Sequence, residues 1–468
     1  MAVNSTTQWE VRSSGNANNG AGFDSAAGGG VDRSQADTPH VAIDNATITT
    51  SITTNVITFT GGTYSPSSTD VGNYVKMLTG TNVTVGYYRI TAQTATTWTM
   101  DRNVVTSGTT TNATGNMGGA AVAIGDVNGA AVAENIVWVK GTLAALTSGL
   151  TMFGGSATPN AAPSVICGYS TTRGDGGRAI LSTSSAITMF TCAGNNQHIY
   201  NLELDGNDTG LTAISFTNGS ESRGNVVANC YIHEWSTKGL NLLRALAYNC
   251  RVSDMKAAAT CAFDVVNGAA YDCIADANPC HGFSFVSANT TNAALVRCVA
   301  YNNTGASVDG FNLENCLGQV VVMNCVSMSN GRDGIGVNGS YIGCSLLNNI
   351  LISNGGYGIR FPANGRRIAS PDINYNAFYN NTTGARLGIV AGANDVTLTG
   401  DPFTNAAGLD FSLDNTANEG AACRAAGFPG AAQFGTGYID RGAVQHADPA
   451  GGGFLAPRAM IVQNIGTY

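Results

Sequence analysis

The sequence predicts an all-β protein whose main part is a right-handed, single-stranded parallel β-helix of about 11 coils. Two series of short motifs recur through the middle of the chain, where helical periodicity is absent. The first series comprises Cys230, Cys250, Cys273, Cys298, Cys325 and Asn349, at intervals of 20, 23, 25, 27 and 24 residues. A period of this length is typical of a solenoid.

The second series marks another strand of each coil. A glycine precedes a short alternating apolar run at Gly239, Gly282, Gly310, Gly334, Gly358 and Gly384. Turn residues separate the two series, as in 329–333 and 353–357. About 24 residues accommodate three short strands and three turns, which together make one coil of a parallel β-helix.

The cysteines are expected to form a buried column of free thiols. Coils stack roughly 4.8 Å apart, so equivalent inward side chains lie above one another, and a buried thiol behaves as a small hydrophobic group. Neither a C-x-x-C motif nor a Cys/His cluster with zinc spacing occurs, so no metal site and no cofactor are predicted. Oxidation of stacked cysteines is the alternative, which a reducing cytosol disfavours.

Five segments are predicted along the chain. They are an N-terminal cap (1–39), a small antiparallel β domain (40–118), the parallel β-helix (119–400), a C-terminal cap (401–450) and an apolar tail (451–468). The second segment contains Thr-rich alternating stretches separated by turns, which favour antiparallel strands. The tail is too short to form its own core, so we expect it to dock on its own coils or on a partner.

Composition excludes several classes of protein. The 22 basic and 30 acidic residues give a net charge of −8, which argues against nucleic acid or an anionic membrane as a partner. Hydrophobic residues make up 43% of the chain, which argues against disorder. Because no apolar run reaches the ~18 residues that a transmembrane helix needs, none is predicted. A signal peptide is not recognisable either, so Sec-dependent secretion is not expected.

Carboxylates suited to polysaccharide cleavage are few. Asp309 and Asp333 precede the turn glycines of neighbouring coils, and Glu314 lies one strand away. These three are the fallback catalytic candidates. An Asp-Gly turn, in which the aspartate caps its own backbone, is the simpler interpretation. The sequence therefore predicts no catalytic residue and leaves enzymatic activity open, with the balance against it.

Sugar-binding side chains are predicted at the turns of the coils. The aromatic candidates are Trp235, Tyr301 and Tyr357. His233 is the fourth candidate, because an imidazole, an acid and an aromatic ring follow one another at its turn. Nearby, Glu203 and Asp205 share one face of a strand, where a solvated surface is a simpler interpretation than a calcium or sugar contact.

Three segments resemble pectate-lyase-like right-handed β-helix proteins, including those of the tailed-phage tailspike and fibre type. Residues 9–23 resemble the segment that opens these proteins, and 70–102 resemble a module of phage-encoded members. Residues 401–445 resemble their closing cap, although Arg441 and Gln445 stand where the family has Ile and Glu. The resemblance implies the fold over nearly the whole chain. It implies less about activity, because lyases, hydrolases, adhesins and viral fibres share this architecture.

The favoured hypothesis is a structural component of a bacteriophage virion: a tailspike, a fibre or a capsid-surface protein. Made in the host cytoplasm, it would form a homo-oligomer, preferentially a trimer. Other virion proteins and a host surface polysaccharide are the expected partners. One alternative is a polysaccharide lyase or glycoside hydrolase. Another is a bacterial surface adhesin or filament subunit, located outside the cell or on its surface.

Overall fold

The structure is a computed structural model that describes most of the chain. The described residues are 6–44, 48–51, 54–59, 64–106, 109–110, 113–155, 162–217, 224–285, 292–314, 318–338, 343–361, 372–428 and 439–445. The predicted apolar tail, 451–468, lies outside them. Two compact units are present. The first contains Met1–Ala145, Thr151–Leu181 and Gly194–Leu202, and the second contains Leu146–Leu150, Ser182–Ala193 and Glu203–Tyr468.

The predicted fold class is confirmed: short strands wind into a parallel β-helix, and helices are short. Each full coil contributes one strand to each of three parallel sheets, which we call the first, second and third sheets in chain order. The β-helix has about 9 turns rather than the 11 expected. The number is smaller because the early coils are longer than the average of about 24 residues on which the prediction was based. Val137 pairs with Ile166, 29 residues further along the chain, and Ile166 pairs with Ile199, 33 residues further.

The first unit combines coil strands with a separate antiparallel sheet. Its strands of the first sheet are Thr7–Arg12, Gly22–Asp24, Ile136–Lys140, Ser164–Tyr169 and Gln197–Tyr200. The antiparallel sheet contains, in spatial order, Val41–Ile43, Thr114–Met117, Tyr74–Thr79, Gly86–Gln93, Thr97–Met100, Thr54–Phe59, Ile48–Ser51 and Thr109–Thr110. Its helices are Ser25–Ala27 and Ser68–Asp70, both 3₁₀, and the α-helix Ile124–Asn128.

The antiparallel sheet has its own apolar core, which explains its alternating sequence. Trp98 is fully buried in that core, and its indole Nε1 donates to Asp70 Oδ2 at 2.9 Å. The same carboxylate oxygen accepts from the Ser67 amide at 2.9 Å, which caps the 3₁₀ helix that follows. One buried acid therefore links the sheet core to its connecting turn.

The second unit is made mainly of coils and ends in a small cap. Its strands of the first sheet are Asn225–Ala228, Ala245–Tyr248, Ala269–Tyr271, Asn292–Val296, Gln319–Met323, Gly343–Leu347 and Asp372–Asn374. Those of the second sheet are Tyr231–His233, Arg251–Ser253, Ile274–Asp276, Val299–Tyr301, Val326–Met328, Ile350–Ile352, Ala377–Tyr379 and Val396–Thr397. Three strands lie at unit boundaries: Leu150–Thr151 in the third sheet, with Ala179–Ser182 and Leu202–Asp205 in the second.

The third sheet carries the largest inward side chains. Its remaining strands are Thr188–Cys192, Thr212–Phe216, Lys238–Leu243, Cys261–Val266, His281–Phe285, Phe311–Glu314, Ile335–Asn338, Tyr357–Arg360 and Gly384–Leu387. Phe283 stacks on Phe263 and on Phe311, with ring centroids 4.5 and 5.3 Å apart. Such stacking adds to the hydrophobic stabilisation of the core.

The glycine series of the sequence marks the third sheet, with one error. Phe283, Phe311, Ile335 and Ile359, each directly after a glycine of the series, pair in register. In the last coil, however, Gly384 pairs with Tyr357 rather than with Gly358. The expected alignment of Gly384 with Gly358 is therefore wrong by one residue, which a repeated glycine alone does not reveal.

The cysteines form the predicted buried column. Cys230, Cys250, Cys273, Cys298 and Cys325 are buried, and every described cysteine is a free thiol. The Cys298 amide donates to Cys325 Sγ at 3.4 Å, and the Cys325 amide donates to Asn349 Oδ1 at 2.9 Å. The asparagine therefore continues the column, as its place in the sequence series predicts.

A left-handed residue before each column position turns the chain from the first to the second sheet. Residues at positive φ are Asn229, Asn249, Asp272, Arg297, Asn324 and Asn348, with φ values from 48° to 58°. Asn and Asp tolerate this conformation better than other non-glycine residues. The Asn-Cys and Asp-Cys pairs of the sequence are therefore a turn residue followed by a core residue.

A second column consists of asparagine side chains at the corner between the second and third sheets. The asparagine ladder is Asn278, Asn303, Asn330, Asn354 and Asn381. Asn303 is fully buried: its Nδ2 donates to Asn330 Oδ1 at 2.9 Å and to Ala275 O at 3.0 Å. Its Oδ1 accepts from Asn278 Nδ2 at 2.9 Å. Each amide therefore bonds the coils on both sides.

We expect Asn303→Leu to lower the free energy of unfolding by about 3 kcal/mol, since it leaves buried polar groups of two coils without partners. Guanidinium unfolding followed by circular dichroism measures the change. The control is Asn241→Ala, in an earlier coil of the same β-helix, because Asn241 is half-buried and its amide donates to Ser215 Oγ. Equal losses in the two variants would contradict a special contribution of the ladder.

We expect the described thiols to resist a disulfide reagent at pH 8 in the folded protein and to react after denaturation. All of the described cysteines are buried, so the reagent cannot reach their sulfur atoms in the folded protein. Cys316 lies outside the described residues, so the assay uses the Cys316→Ser variant. Rapid labelling of several thiols in that folded variant would be the contrary result.

The C-terminal cap covers part of the outer face of the second sheet. Its strands, Phe403–Asn405 and Asp410–Leu413, are antiparallel, and the 3₁₀ helices Ala406–Gly408 and Gly420–Ala422 adjoin them. The apolar cluster beneath the cap joins Phe403, Phe411 and Leu413 to Val299, Val326 and Ile350. Within the described residues, none of the helices is both long and apolar enough to cross a bilayer.

Candidate functional site

The outer face of the third sheet carries a row of polar side chains, which we call the polar ladder. Its charged or titratable members are Lys238, Asp264, His281, Asp309, Arg332, Asp333 and Arg360, and its amide and hydroxyl members are Ser215, Asn241, Ser284, Asn312 and Asn338. The parallel register places residues of successive coils side by side, so the ladder follows the coil axis.

Asp309 and Asp333 are adjacent members of this ladder, and both are buried. Arg332 forms a bidentate pair with Asp309, at 2.6 Å from Nε to Oδ1, and its Nε lies 3.4 Å from Asp333 Oδ2. Arg360 also pairs with Asp333. Two guanidinium groups thus neutralise two buried carboxylates.

The same two carboxylates accept backbone hydrogen bonds from the next coil. Asp309 Oδ1 accepts from the Asp333 amide at 3.1 Å, and Asp333 Oδ1 accepts from the Tyr357 amide at 2.8 Å. The sequence correctly predicts that these aspartates lie together at turns. The detail is wrong: each caps the following coil rather than its own backbone, because the stacked coil places an amide within reach.

Lys238 and Asp264 form the ion pair at the other end of the ladder. Burial alone would lower the pKa of Lys238, but the hydrogen bond to Asp264 and its charge outweigh that effect and raise the pKa. Lys238 is therefore an ammonium donor at neutral pH and not a base.

His281 lies between these two groups of ions. Its Nδ1 accepts from the Asp309 amide at 3.0 Å. Burial lowers the pKa of His281 and the charge of Arg332 adds to that effect, although the charges of Asp309 and Glu314 oppose the shift. The imidazole is therefore neutral near pH 7, with its proton on Nε2, so it is a hydrogen-bond donor there.

The neutral members connect the ladder from coil to coil. The Asn241 amide donates to Ser215 Oγ at 3.1 Å, and Asn312 donates to Ser284 Oγ at 3.2 Å. Asn338 Nδ2 donates to Asn312 Oδ1 at 2.8 Å. The last bond of the row runs from Arg360 to Asn338 Oδ1, also at 2.8 Å. The arrangement holds a set of amide and guanidinium donors in fixed positions along the axis.

The structure places the predicted aromatic residues in three different surroundings. Trp235 is fully buried, and its Nε1 donates to Leu204 O at 3.1 Å, so its predicted exposure is wrong. Tyr301 packs edge-on against Phe411 of the cap, at 5.6 Å between centroids, and so is half-buried by an intramolecular contact. Tyr357 is half-buried beside the polar ladder, next to Asp333.

His233 lies on the outer face of the second sheet, in the coils before the cap. It pairs in register with Asp205, and the Tyr231 ring stacks on it at 4.7 Å. Its Nε2 is 3.5 Å from Glu203 Oε1, and its Nδ1 is 3.9 Å from Asp205 Oδ1. Nearby, Arg251 binds Asp276, at 2.7 Å from Nη2 to Oδ2, and Lys256 binds Asp208.

No family model matches the sequence, and no curated protein matches it. Pectate lyase Pel9A matches in structure with a TM-score of 0.51 at 16% identity, over 70% of this chain and 92% of that chain. The fold is that of a pectate-lyase-like parallel β-helix.

Two further solved structures are similar at a lower level. The A-module of mannuronan C-5 epimerase AlgE4 from Azotobacter vinelandii has a TM-score of 0.38 at 15% identity, covering 57% of this chain and 89% of that one. ORF18 of Geobacillus virus E2 has 0.32 at 13%, covering 56% and 52%. Because one β-helix scaffold supports many functions, function has to be argued from the site.

Most of the polar ladder is not predicted from the sequence. The missed charged members are Lys238, Asp264, His281, Arg332 and Arg360. A signal was available: aligning the coils on the glycine series puts Lys238, His281, Asp309 and Asp333 at one position of the repeat. The ion-pair partners of these residues occupy other positions of the repeat, and only the stacking of the coils brings the partners together.

We expect acid to destabilise the folded protein through His281. Because its pKa is lowered from the ordinary 6.5, the unfolded chain binds this proton more readily, and the free energy of unfolding falls as the pH drops below about 6.5. The slope is at most about 1.4 kcal/mol per pH unit. Denaturation of the wild type and His281→Gln between pH 5 and 8 measures it. If the free energy of unfolding depended on pH in the same way in both proteins, His281 would have the same pKa in the folded and unfolded states.

Proposed function

We propose that the protein is a carbohydrate-binding β-helix that holds an extended polysaccharide along the polar ladder of the third sheet. The single observation that carries this proposal is the row of fixed hydrogen-bond donors that follows the coil axis from Asn241 to Arg360. A polymer of sugars offers hydroxyl and carboxylate oxygens at a regular spacing, and a regular row of donors is complementary to it.

Ser284 and Asn312 of the ladder are buried, but the exposure of its cationic members supports recognition of oxygen-rich ligands. The cationic side chains Lys238, Arg332 and Arg360 remain 29%, 30% and 19% exposed. Their carboxylate partners are almost completely buried beneath them, at 6%, 0% and 1%. The outermost groups of these ion pairs are therefore the N–H donors, which remain able to bond a second acceptor.

The contacts of these side chains favour binding over cleavage. General acid–base catalysis needs a group that exchanges a proton near neutral pH. Asp309 and Asp333 are each held by guanidinium groups and by a backbone amide, and Lys238 stays protonated. His281 uses Nδ1 to accept a backbone hydrogen bond. We therefore propose Asp309 and Asp333 as positioning residues for Arg332 and Arg360, not as the acid and base of a glycosidase.

We expect Arg332→Gln and Arg360→Gln each to weaken polysaccharide binding about tenfold, because each removes charge-assisted hydrogen bonds. Affinity electrophoresis of the full chain in gels containing uronate-rich or neutral bacterial polysaccharides measures binding. The matched control is Arg251→Gln, which removes an Arg–Asp pair between coils on the second sheet.

Three outcomes would overturn the proposal. Retardation by none of the polysaccharides would remove the proposed ligand class. An equal effect of Arg251→Gln would show that the loss of polysaccharide affinity is not specific to the polar ladder. The release of reducing ends or unsaturated uronates by the wild type would identify a lyase or hydrolase instead of a binding protein.

A virion role remains a compatible proposal on the grounds of the sequence alone, through the resemblance of 70–102 to phage-encoded modules. In that setting the polysaccharide would be on the host surface, and a trimer is the expected assembly. Light scattering of the purified chain measures the oligomer. Negative-stain microscopy of phage particles, with antibodies against this chain, tests the location.

A further inference from the structure

We infer that the outer face of the second sheet holds a site for one divalent transition-metal ion, built from Asp205, His233 and Glu234. One ligand atom from each of these side chains lies within 4.8 Å of the other two. The site is on a different sheet from the polar ladder and does not depend on the proposed polysaccharide binding.

The fold positions these three residues from two neighbouring coils. Asp205 and His233 are register partners at the ends of adjacent strands of the second sheet. Glu234 follows directly at the corner, at a φ of 63°, so its side chain leaves the chain next to that of His233. All three side chains are half-buried, so rotation about their χ angles can close the remaining distance to the 2.0–2.2 Å bonds of a metal centre.

The charges around the cluster favour a cation. Asp205, Glu234 and the adjacent Glu203 are three carboxylates around one imidazole. The nearby basic groups have other acidic partners, since Arg251 binds Asp276 and Lys256 binds Asp208. The charge of Lys256, which is paired with Asp208, also attracts Glu234. A divalent ion would balance the excess negative charge.

The orientation of the imidazole is compatible with a metal on Nδ1. His233 Nε2 is a buried atom with no hydrogen-bond partner among the described residues. It lies 3.5 Å from Glu203 Oε1, while Nδ1 faces Asp205. A metal on Nδ1 would leave Nε2–H directed at the Glu203 carboxylate, which is the outer contact that metal-bound histidines usually make. Tyr231, stacked on the ring at 4.7 Å, keeps the imidazole in this orientation.

The donor set identifies the class of ion. Calcium and magnesium prefer sites made entirely of oxygen atoms. One imidazole nitrogen with carboxylate oxygens suits zinc and the neighbouring divalent transition metals. Asp205 Oδ1 accepts from the Asn207 amide at 2.7 Å, and this bond orients the carboxylate beside His233.

The test is isothermal titration of the chelator-treated full chain with Zn²⁺ alone, in the Cys316→Ser background. We expect one saturable site per chain. His233→Gln should lower the zinc affinity at least tenfold, and Glu203→Gln should lower it tenfold to a hundredfold through the outer contact. The matched control is His198→Gln, because His198 bonds Tyr200 through Nδ1 at 2.6 Å and has no part in the cluster.

Circular dichroism establishes that each variant is folded, and Glu234→Gln replaces His233→Gln if the latter is not. Unchanged zinc binding in the folded His233→Gln and Glu234→Gln variants would overturn the site. Absence of saturable binding to the wild type would do the same. Equally tight binding of Ca²⁺ that survives His233→Gln would show an all-oxygen site and contradict the assignment to a transition metal.

Discussion

In-register stacking of successive coils is the constraint on which the rest of this protein depends. Backbone amides and carbonyls of the three sheets bond to the coils on either side, so each coil needs its neighbours. Equivalent side chains are then forced together. Phenylalanines such as Phe283 stack on one another, and Asn303 satisfies its buried amide only because Asn278 and Asn330 occupy the same position.

The same stacking gives the outer faces of the sheets different characters. On the third sheet, carboxylates and cations of neighbouring coils neutralise one another and leave donors outermost. On the second sheet, the outer face is apolar at Val326 and Ile350, where the cap packs, and acidic around His233 in earlier coils. A single repeat thus supports a rigid core, a docking surface and two polar surfaces.

The candidate residues were predictable only in part. The period of the sequence repeat places Asp309 and Asp333 on adjacent coils, and the structure confirms that they are close together. It does not reveal that Arg332 and Arg360 neutralise them, since an ion pair across coils depends on side-chain direction. Trp235 illustrates the opposite error. A large ring at a polar turn suggests exposure. Trp235 is instead buried, and its indole N–H donates a hydrogen bond to the buried carbonyl Leu204 O.

The sequence by itself determined the repeating elements: the cysteine column, the left-handed asparagines and the alternating strands, because each depends on local preference and period. Only the tertiary structure decided the number of turns, the register of the last coil at Gly384 and the surroundings of His233. The physical reason is that loop length varies freely between strands. Contacts between coils therefore follow from stacking in space, and distance along the chain does not determine them.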